Sequence, residues 1–454
     1  MNTLEKFKDF RNKYDTFIYE KYEIVYDSEY MNIKYYFNIP GLTWFYPQLK
    51  INRKYILNNN INDDYLNSLV FHIGLIELIS YFKCTCSPNV IIRAGYISDD
   101  QIEWFKKLYY NGLGEFLYTN GIDISLNDLM TITCECEKQE LPIINYVGNG
   151  NLISVGGGKD SCVSLEILKD ESNNSCFIIN PKKPSLDCCS VAGYSEEDVV
   201  SVSRMLDRKI VELNKEGYLN GHTPFSSVVA FISYLCAYLL GKKNIVLSNE
   251  SSANEATVLG TSINHQYSKS YEFEVDFNNY VNKYFNLDIH YFSLLRGISE
   301  FQIGKLFSNY KKYHKIFKSC NLGSKEDVWK WCCACPKCLF VYIILSPFLY
   351  KEKIINIFGE DLYEREDLLE SFKEILGFSL TKPFECVGTY SEARYAASLL
   401  IDKLDKNELP YLLKYYFDNY ELELDGTNIL KYNEENNLDD YYENLVKKEL
   451  MKYV

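Results

Sequence analysis

No stretch of this 454-residue chain stays apolar for the roughly 20 residues a membrane-spanning helix needs. The longest apolar runs, Val228 to Leu240 and Leu339 to Tyr350, stop short of that and read as buried helices. An export signal is missing too. Met1 to Tyr26 mixes charged and aromatic residues with neither an apolar core nor a small-residue cleavage site, so a cytoplasmic location is expected. Positive charge is in deficit, with 48 Lys and Arg against 62 Asp and Glu, a net charge of −14. Such a field repels polyanions, and no evident basic segment overrides it, which disfavours nucleic acid as a partner. There is no internal repeat and no long linker. Two nucleotide-binding signatures are also absent, because neither Gly-x-x-x-x-Gly-Lys-Ser/Thr nor the dinucleotide fingerprint Gly-x-Gly-x-x-Gly occurs in the required setting.

What the chain does have is an ordinary globular balance, 47% hydrophobic and 24% charged, over a length that suits two or three domains. Its 15 cysteines would suggest a disulfide framework in a short secreted protein. In a long chain with no export signal most should be reduced, and a tight cluster should be suspected of holding metal.

The first 150 residues read as an α+β unit. Ile33 to Phe37 and Ile91-Ile92 are strand-like, and helices are expected over Leu66 to Phe82 and Asp99 to Tyr110. From Asn151 the pattern changes to strands alternating with helices. Strands are expected at Leu152 to Val155, Cys176 to Ile179, Asn244 to Ser248 and Ile289 to Phe292. Helices are expected at Asp160 to Lys169, within Glu196 to Leu213, and from Thr223-Pro224 to a stop at Gly241. This alternation implies an α/β fold with a doubly wound, mostly parallel sheet, whose ligands sit at the carboxyl ends of its strands. Beyond Phe358 the chain turns helical.

Two motifs carry chemistry. The first is Gly156-Gly157-Gly158-Lys159-Asp160-Ser161, a glycine turn between a strand and a helix. Glycines let backbone N–H groups close on a phosphate, the helix N-terminus adds partial positive charge, and Lys159 and Ser161 offer further donors. Asp160 suits a helix cap or a Mg²⁺ ligand. The plain alternative is a capped glycine turn. The second motif is Cys320, Cys332, Cys335 and Cys338, spaced Cys-x11-Cys-x2-Cys-x2-Cys, which suits a structural Zn²⁺ closed by four thiolates or else a set of core thiols. Cys84/Cys86 and Cys134/Cys136, one residue apart as on a strand face, are expected to be buried or incidental thiols.

A dense polar tract follows the Asn244 strand and includes Asn249, Glu250, Ser252 and Glu255. Asn264 to Ser270, with His265 and Lys269, comes soon after. Substrate and ATP contacts are expected there, with a solvated loop as the alternative. Lys269 and Arg296 could pair with a carboxylate or phosphate, or simply form surface ion pairs.

Gly156 to Ser161 resembles the Ser-Gly-Gly-x-Asp-Ser signature of the PP-loop ATP pyrophosphatases, with Gly156 in place of the first serine. That superfamily cleaves ATP between its α and β phosphates, forming an adenylate. Similar cysteine knuckles follow the PP-loop domain in the deazaguanine synthases. Together with Phe71 to Leu78, Asn111 to Phe116 and Phe384 to Thr389, these tracts resemble the UDP-N-acetylmuramoyl-L-alanyl-L-glutamate epimerase family over most of the chain. The resemblance implies an ATP- and Mg²⁺-dependent isomerase of peptidoglycan precursor synthesis, inverting a terminal L-glutamate through an adenylated α-carboxylate. His265 and Cys386 become candidate acid/base groups, with Asp160 at the reaction centre, although Cys386 also fits a buried structural thiol. The implied organisation is an N-terminal domain at 1–148, a PP-loop ATP-binding domain at 149–310, a cysteine knuckle with its buried helix at 311–358, and a helical region at 359–454. Rival readings are another glutamate-peptide epimerase, a PP-loop amide or nitrile synthase, a tRNA thiolase, or a non-catalytic nucleotide- and zinc-binding scaffold.

Overall fold

The computed structural model describes residues 2–257, 263–320, 322 and 330–453. Eleven strands form one continuous mixed sheet: β1 (Thr16–Tyr26), β2 (Tyr30–Ile39), β3 (Thr43–Phe45), β4 (Gln48–Asn52), β5 (Asn89–Ile92), β6 (Thr131–Cys134), β7 (Asn151–Ser154), β8 (Asn174–Ile179), β9 (Val199–Met205), β10 (Asn244–Leu247) and β11 (His290–Ser293). Their order is β11-β10-β7-β8-β9-β4-β2-β1-β5-β6, with β3 paired to β2. From β11 to β9 every pairing is parallel. At β9 the sheet meets β4 antiparallel, pairing Gln48 with Met205 and Ile51 with Val202, so the N-terminal strands extend the same sheet.

Two apolar layers clothe this sheet, and strand alternation assigns residues to them. Leu152 and Ile245 join the core under helices Asp63–Phe82 and Phe225–Leu240. Their neighbours Ile153 and Val246 join the opposite core, under Lys159–Leu168, Glu300–Asn309 and Pro336–Leu345. That alternation is the period-two signature of strands covered on both faces. Helix Asp63–Phe82 is long and apolar enough to cross a membrane by composition, yet 89% of its apolar window is buried in the protein.

One expected element is of the wrong kind. The stretch read as a helix within Glu196 to Leu213 is strand β9 followed by a short helix, Lys209–Lys215. Val199, Val200 and Val202 are β-branched and buried between β8 and β4, and this packing outweighs the helical reading of the polar residues around them. Helix Lys183–Ala192 went unanticipated. Cys84 and Cys86 lie on a turn after helix Asp63–Phe82 rather than on a strand face.

Candidate active site

In the parallel half, chain order gives the spatial order 3-2-1-4-5, so the direction of winding reverses between β7 and β10. Such a switch point leaves a crevice at the carboxyl ends of the strands, where ligands of open α/β sheets bind. A cavity of about 560 Å³ occupies that place, lined among others by Gly156, Asp160, Ser161, Asn249, Glu250 and Lys269. Its size is that of a small-molecule site.

The glycine loop forms its floor. Gly157 has φ +86°, and a Cβ there would lie 2.8 Å from the Ser185 nitrogen, so only glycine fits. Its N–H donates to Ser161 Oγ at 3.2 Å, which draws the turn onto the helix that follows. Gly158 is the N-cap of helix Lys159–Leu168 and supplies no capping side chain, so the first-turn amides face the cavity end of the helix. Gly156 is different, because a Cβ there would meet nothing within 4 Å. The missing serine of the signature therefore has room.

The lysine of the loop points elsewhere. Lys159 is 1% exposed, with its ammonium held between the carboxylates of Asp160 and Glu300. Its burial favours the neutral amine, but the two acids outweigh that and raise its pKa. Positive charge at the cavity comes instead from Lys182, Lys269 and Lys318, set against Asp160 and Glu250. Burial alone would raise the Asp160 carboxyl, but Lys159, Lys337 and Lys269 hold it below the usual carboxylate range.

Lys269 joins the cavity to a second group of residues. Lys269 lines the cavity, and its ammonium donates to Cys386 Sγ at 3.0 Å. Cys386 also pairs with His265, and the backbone carbonyl of Cys386 accepts from Lys337. Burial would raise the thiol, but Lys269, the His265 hydrogen bond and Lys337 bring it down to about 6. Burial would likewise lower His265, while its bonds to Cys386 and Glu115 raise it to about 9. Between those values the pair is a thiolate facing an imidazolium. The two catalytic candidates, 121 positions apart in sequence, therefore meet.

Local structure fixes them. The His265 N–H donates to Thr257 Oγ1 at 2.9 Å. Cys386 sits just before the helix Tyr390–Lys403, whose Thr389–Glu392 capping box also reaches across, as Glu392 Oε1 accepts from the Glu300 N–H at 2.7 Å. Arg296 is fully buried and is not among the residues that line this cavity. It donates to the carbonyls of Glu250 (2.8 Å) and Lys269 (2.6 Å) and to the Glu274 carboxylate (3.0 Å), and so holds two cavity-lining segments at one distance. Asn249 donates to Ser293 Oγ at 3.0 Å, Ser252 bonds Glu250, and Glu255 pairs with Lys382.

The four clustered cysteines also meet. Cys332–Cys338 and Cys335–Cys338 are 3.5 Å apart and Cys335–Cys320 is 3.8 Å. Four thiolates around one Zn²⁺ at about 2.3 Å would stand about 3.8 Å apart, so the set fits the ion. Cys320 also lines the nucleotide-sized cavity, and Lys318 donates its backbone N–H to the Gly157 carbonyl at 2.8 Å.

Sequence reasoning missed Lys182, Ser185, Lys318, Ser319, Glu300 and Lys337. Lys182 to Ser185 follow β8 directly, as Asn249 and Glu250 follow β10, so the same rule would have found them. Glu300 carried no such signal, because it is an ordinary first-turn acid of a buried helix.

A family model described as the MurL N-terminal domain matches residues 8–294, and one described as the MurL C-terminal domain matches 316–423. The chain is 34% identical over 343 residues to the UDP-N-acetyl-alpha-D-muramoyl-L-alanyl-L-glutamate epimerase of Xanthomonas oryzae pv. oryzae, covering 74% of this chain and 75% of that one. A protein of the same name from Salinispora tropica is 34% identical over 348 residues, covering 74% of each chain. With both domain models matched in order across a shared site, the chain belongs to the MurL family of glutamate epimerases.

Proposed function

We propose that this protein is the ATP-dependent epimerase that inverts the terminal L-glutamate of UDP-N-acetylmuramoyl-L-alanyl-L-glutamate, in peptidoglycan precursor synthesis. One juxtaposition carries the reading at the level of chemistry: Lys269 touches both the nucleotide-sized cavity and the Cys386–His265 pair. Activation of a carboxylate and movement of a proton are thereby set side by side.

An α-carboxylate protects its neighbouring C–H, because deprotonation would put a second negative charge on the same group. Adenylation removes that obstacle. The glutamate α-carboxylate oxygen attacks the α-phosphorus of MgATP, the bond to the β-phosphate breaks, and pyrophosphate leaves. The glycine loop and the N-terminus of helix Lys159–Leu168 hold the phosphates, with Lys182, Lys269 and Lys318 offsetting their charge, and Asp160 is the carboxylate available to Mg²⁺. The Cys386 thiolate then takes the α-proton, the His265 imidazolium is the source of the proton returned, and its return to the opposite face of the α-carbon inverts the configuration. Water cleaves the acyl–oxygen bond and releases AMP, and that loss drives the cycle forward. Cys320, Cys332, Cys335 and Cys338 would hold a structural zinc that braces the cavity wall. ATP as co-substrate makes the cytoplasm the expected compartment.

Incubation with MgATP and the nucleotide-linked dipeptide in D₂O tests this. Deuterium at the glutamate α-carbon with stoichiometric AMP is the expected result. AMP without label would redirect the assignment to ligation or amidation, and ATP binding without turnover would leave only a scaffold.

A further inference from the structure

We infer that Glu115 is the positioning residue of a Cys386–His265–Glu115 relay, a proposal that rests on the epimerase reading and adds a third member to its proton-transfer pair. Glu115 belongs to the short helix Gly114–Thr119 in the N-terminal half, far in sequence from both partners. Its Oε2 accepts from His265 Nδ1, and the same ring is hydrogen-bonded to Cys386. The carboxylate side chain is 15% exposed and the imidazole 12%, so water screens the contact little.

The order thiolate, imidazole, carboxylate is that of a nucleophile or base, its proton partner, and an orienting acid. An orienting carboxylate fixes which ring nitrogen carries the proton and favours the imidazolium over the neutral ring. A second histidine frames the same acid. His222 Nδ1 stands 3.5 Å from Glu115 Oε2, and its ring centroid is 4.4 Å from that of His265. Burial, then the neighbouring His265, lower His222 to about 4, so it is neutral and leaves the Glu115 charge to His265. Other charged groups facing the relay include Lys269 and Lys337 on the Cys386 side and Lys83 beside His222. All three bring positive charge that disfavours a protonated ring, Lys83 less so above about pH 8 because burial lowers its ammonium to that value, and the bonds to Cys386 and Glu115 are what hold the ring protonated.

The test compares Glu115→Gln and Glu115→Asp with the parent in the full chain. In Glu115→Gln, His265 should titrate towards its ordinary value of about 6.5 instead of about 9. This is read in the free enzyme by NMR of ring-labelled histidine, assigned with His265→Gln. The alkaline limb of deuterium incorporation should move down with it, and incorporation per pyrophosphate released should fall at least tenfold at pH 8. Glu115→Asp should restore the limb in part. An unmoved His265 titration in Glu115→Gln overturns the proposal, as does an equal fall in pyrophosphate release and exchange, the mark of a merely structural acid. A second zinc equivalent in the parent that vanishes in Glu115→Gln also overturns it. By contrast, a parent enzyme that forms no pyrophosphate with the dipeptide would refute the epimerase reading, while the NMR titration would still decide the role of Glu115.

Discussion

At the scale of single residues the loop glycines are unequal, and this separates their roles. Gly157 combines a left-handed φ with a backbone atom where its Cβ would go. Gly157→Ala should cost about 1–2 kcal/mol from the conformation alone and more from the collision, seen as a lower denaturation midpoint and lost ATP binding. Gly156→Ser faces open space and should fold normally, with ATP affinity equal or improved in calorimetric titration, because the new hydroxyl enters the phosphate cradle. At Cys386 the prediction concerns pH. The thiolate must be present and the imidazolium retained, so exchange should rise through about pH 6 and fall through about pH 9. Because the two groups interact, those limbs belong to the pair rather than to either residue. Cys386→Ala should lower deuterium incorporation by about 10²–10⁴-fold, measured against pyrophosphate release. That the glycine turn and Lys269 line one cavity was legible from the strand ends they follow, whereas His265 and Cys386 were singled out only through the family resemblance, and it is the fold that brings them together. The way Lys159 points was not legible, because the acid that captures it, Glu300, lies 141 positions away.

At the scale of elements the cysteine cluster and the glycine loop act as one. Lys318, Ser319 and Cys320 run consecutively from the Gly157 carbonyl to the first of the four clustered cysteines. A Cβ on Gly158 would come within 2.7 Å of Ser319 Oγ, so this segment packs directly on the turn. Metal analysis should therefore find one zinc per chain. Its removal under mild chelation should raise the KM for ATP more than it lowers the melting temperature, because the cavity wall loosens before the core does. Cys332→Ser should have the same effect, and a chelated protein with unchanged ATP affinity would dissociate the two features. The spacing of the cysteines made the cluster legible. Its contact with the loop was not, because it depends on how helix Pro336–Leu345 packs on the sheet. Strand β9 was lost for a related reason, since three valines among polar residues fit either periodicity until β4 and β8 are placed beside them.

At the scale of the whole molecule, the seam between β4 and β9 decides how the chain unfolds. The N-terminal strands continue the parallel sheet, and helices Asp63–Phe82 and Phe225–Leu240 share one apolar layer across that seam. Arg204, at the end of β9, reaches back to Glu77 in the first of these helices with bonds of 2.7 and 2.9 Å, and Glu77 is 2% exposed. Removing one partner of a buried pair leaves the other charged and without compensation, which typically costs about 3–5 kcal/mol. Arg204→Met should therefore destabilise the whole chain, and Glu77→Gln should do so by a similar amount. Calorimetry should show a single transition moving down in temperature rather than one of two separating, because the parallel half without β4 would expose both a sheet edge and the underside of helix Phe225–Leu240. Residues 149–454 expressed alone should accordingly aggregate. A soluble fragment with a cooperative transition of its own would mean that the continuous sheet is two stable units in contact. The Glu115 carboxylate would then reach His265 across a joint able to open, and the alkaline limb of exchange would depend on how tightly that joint is closed.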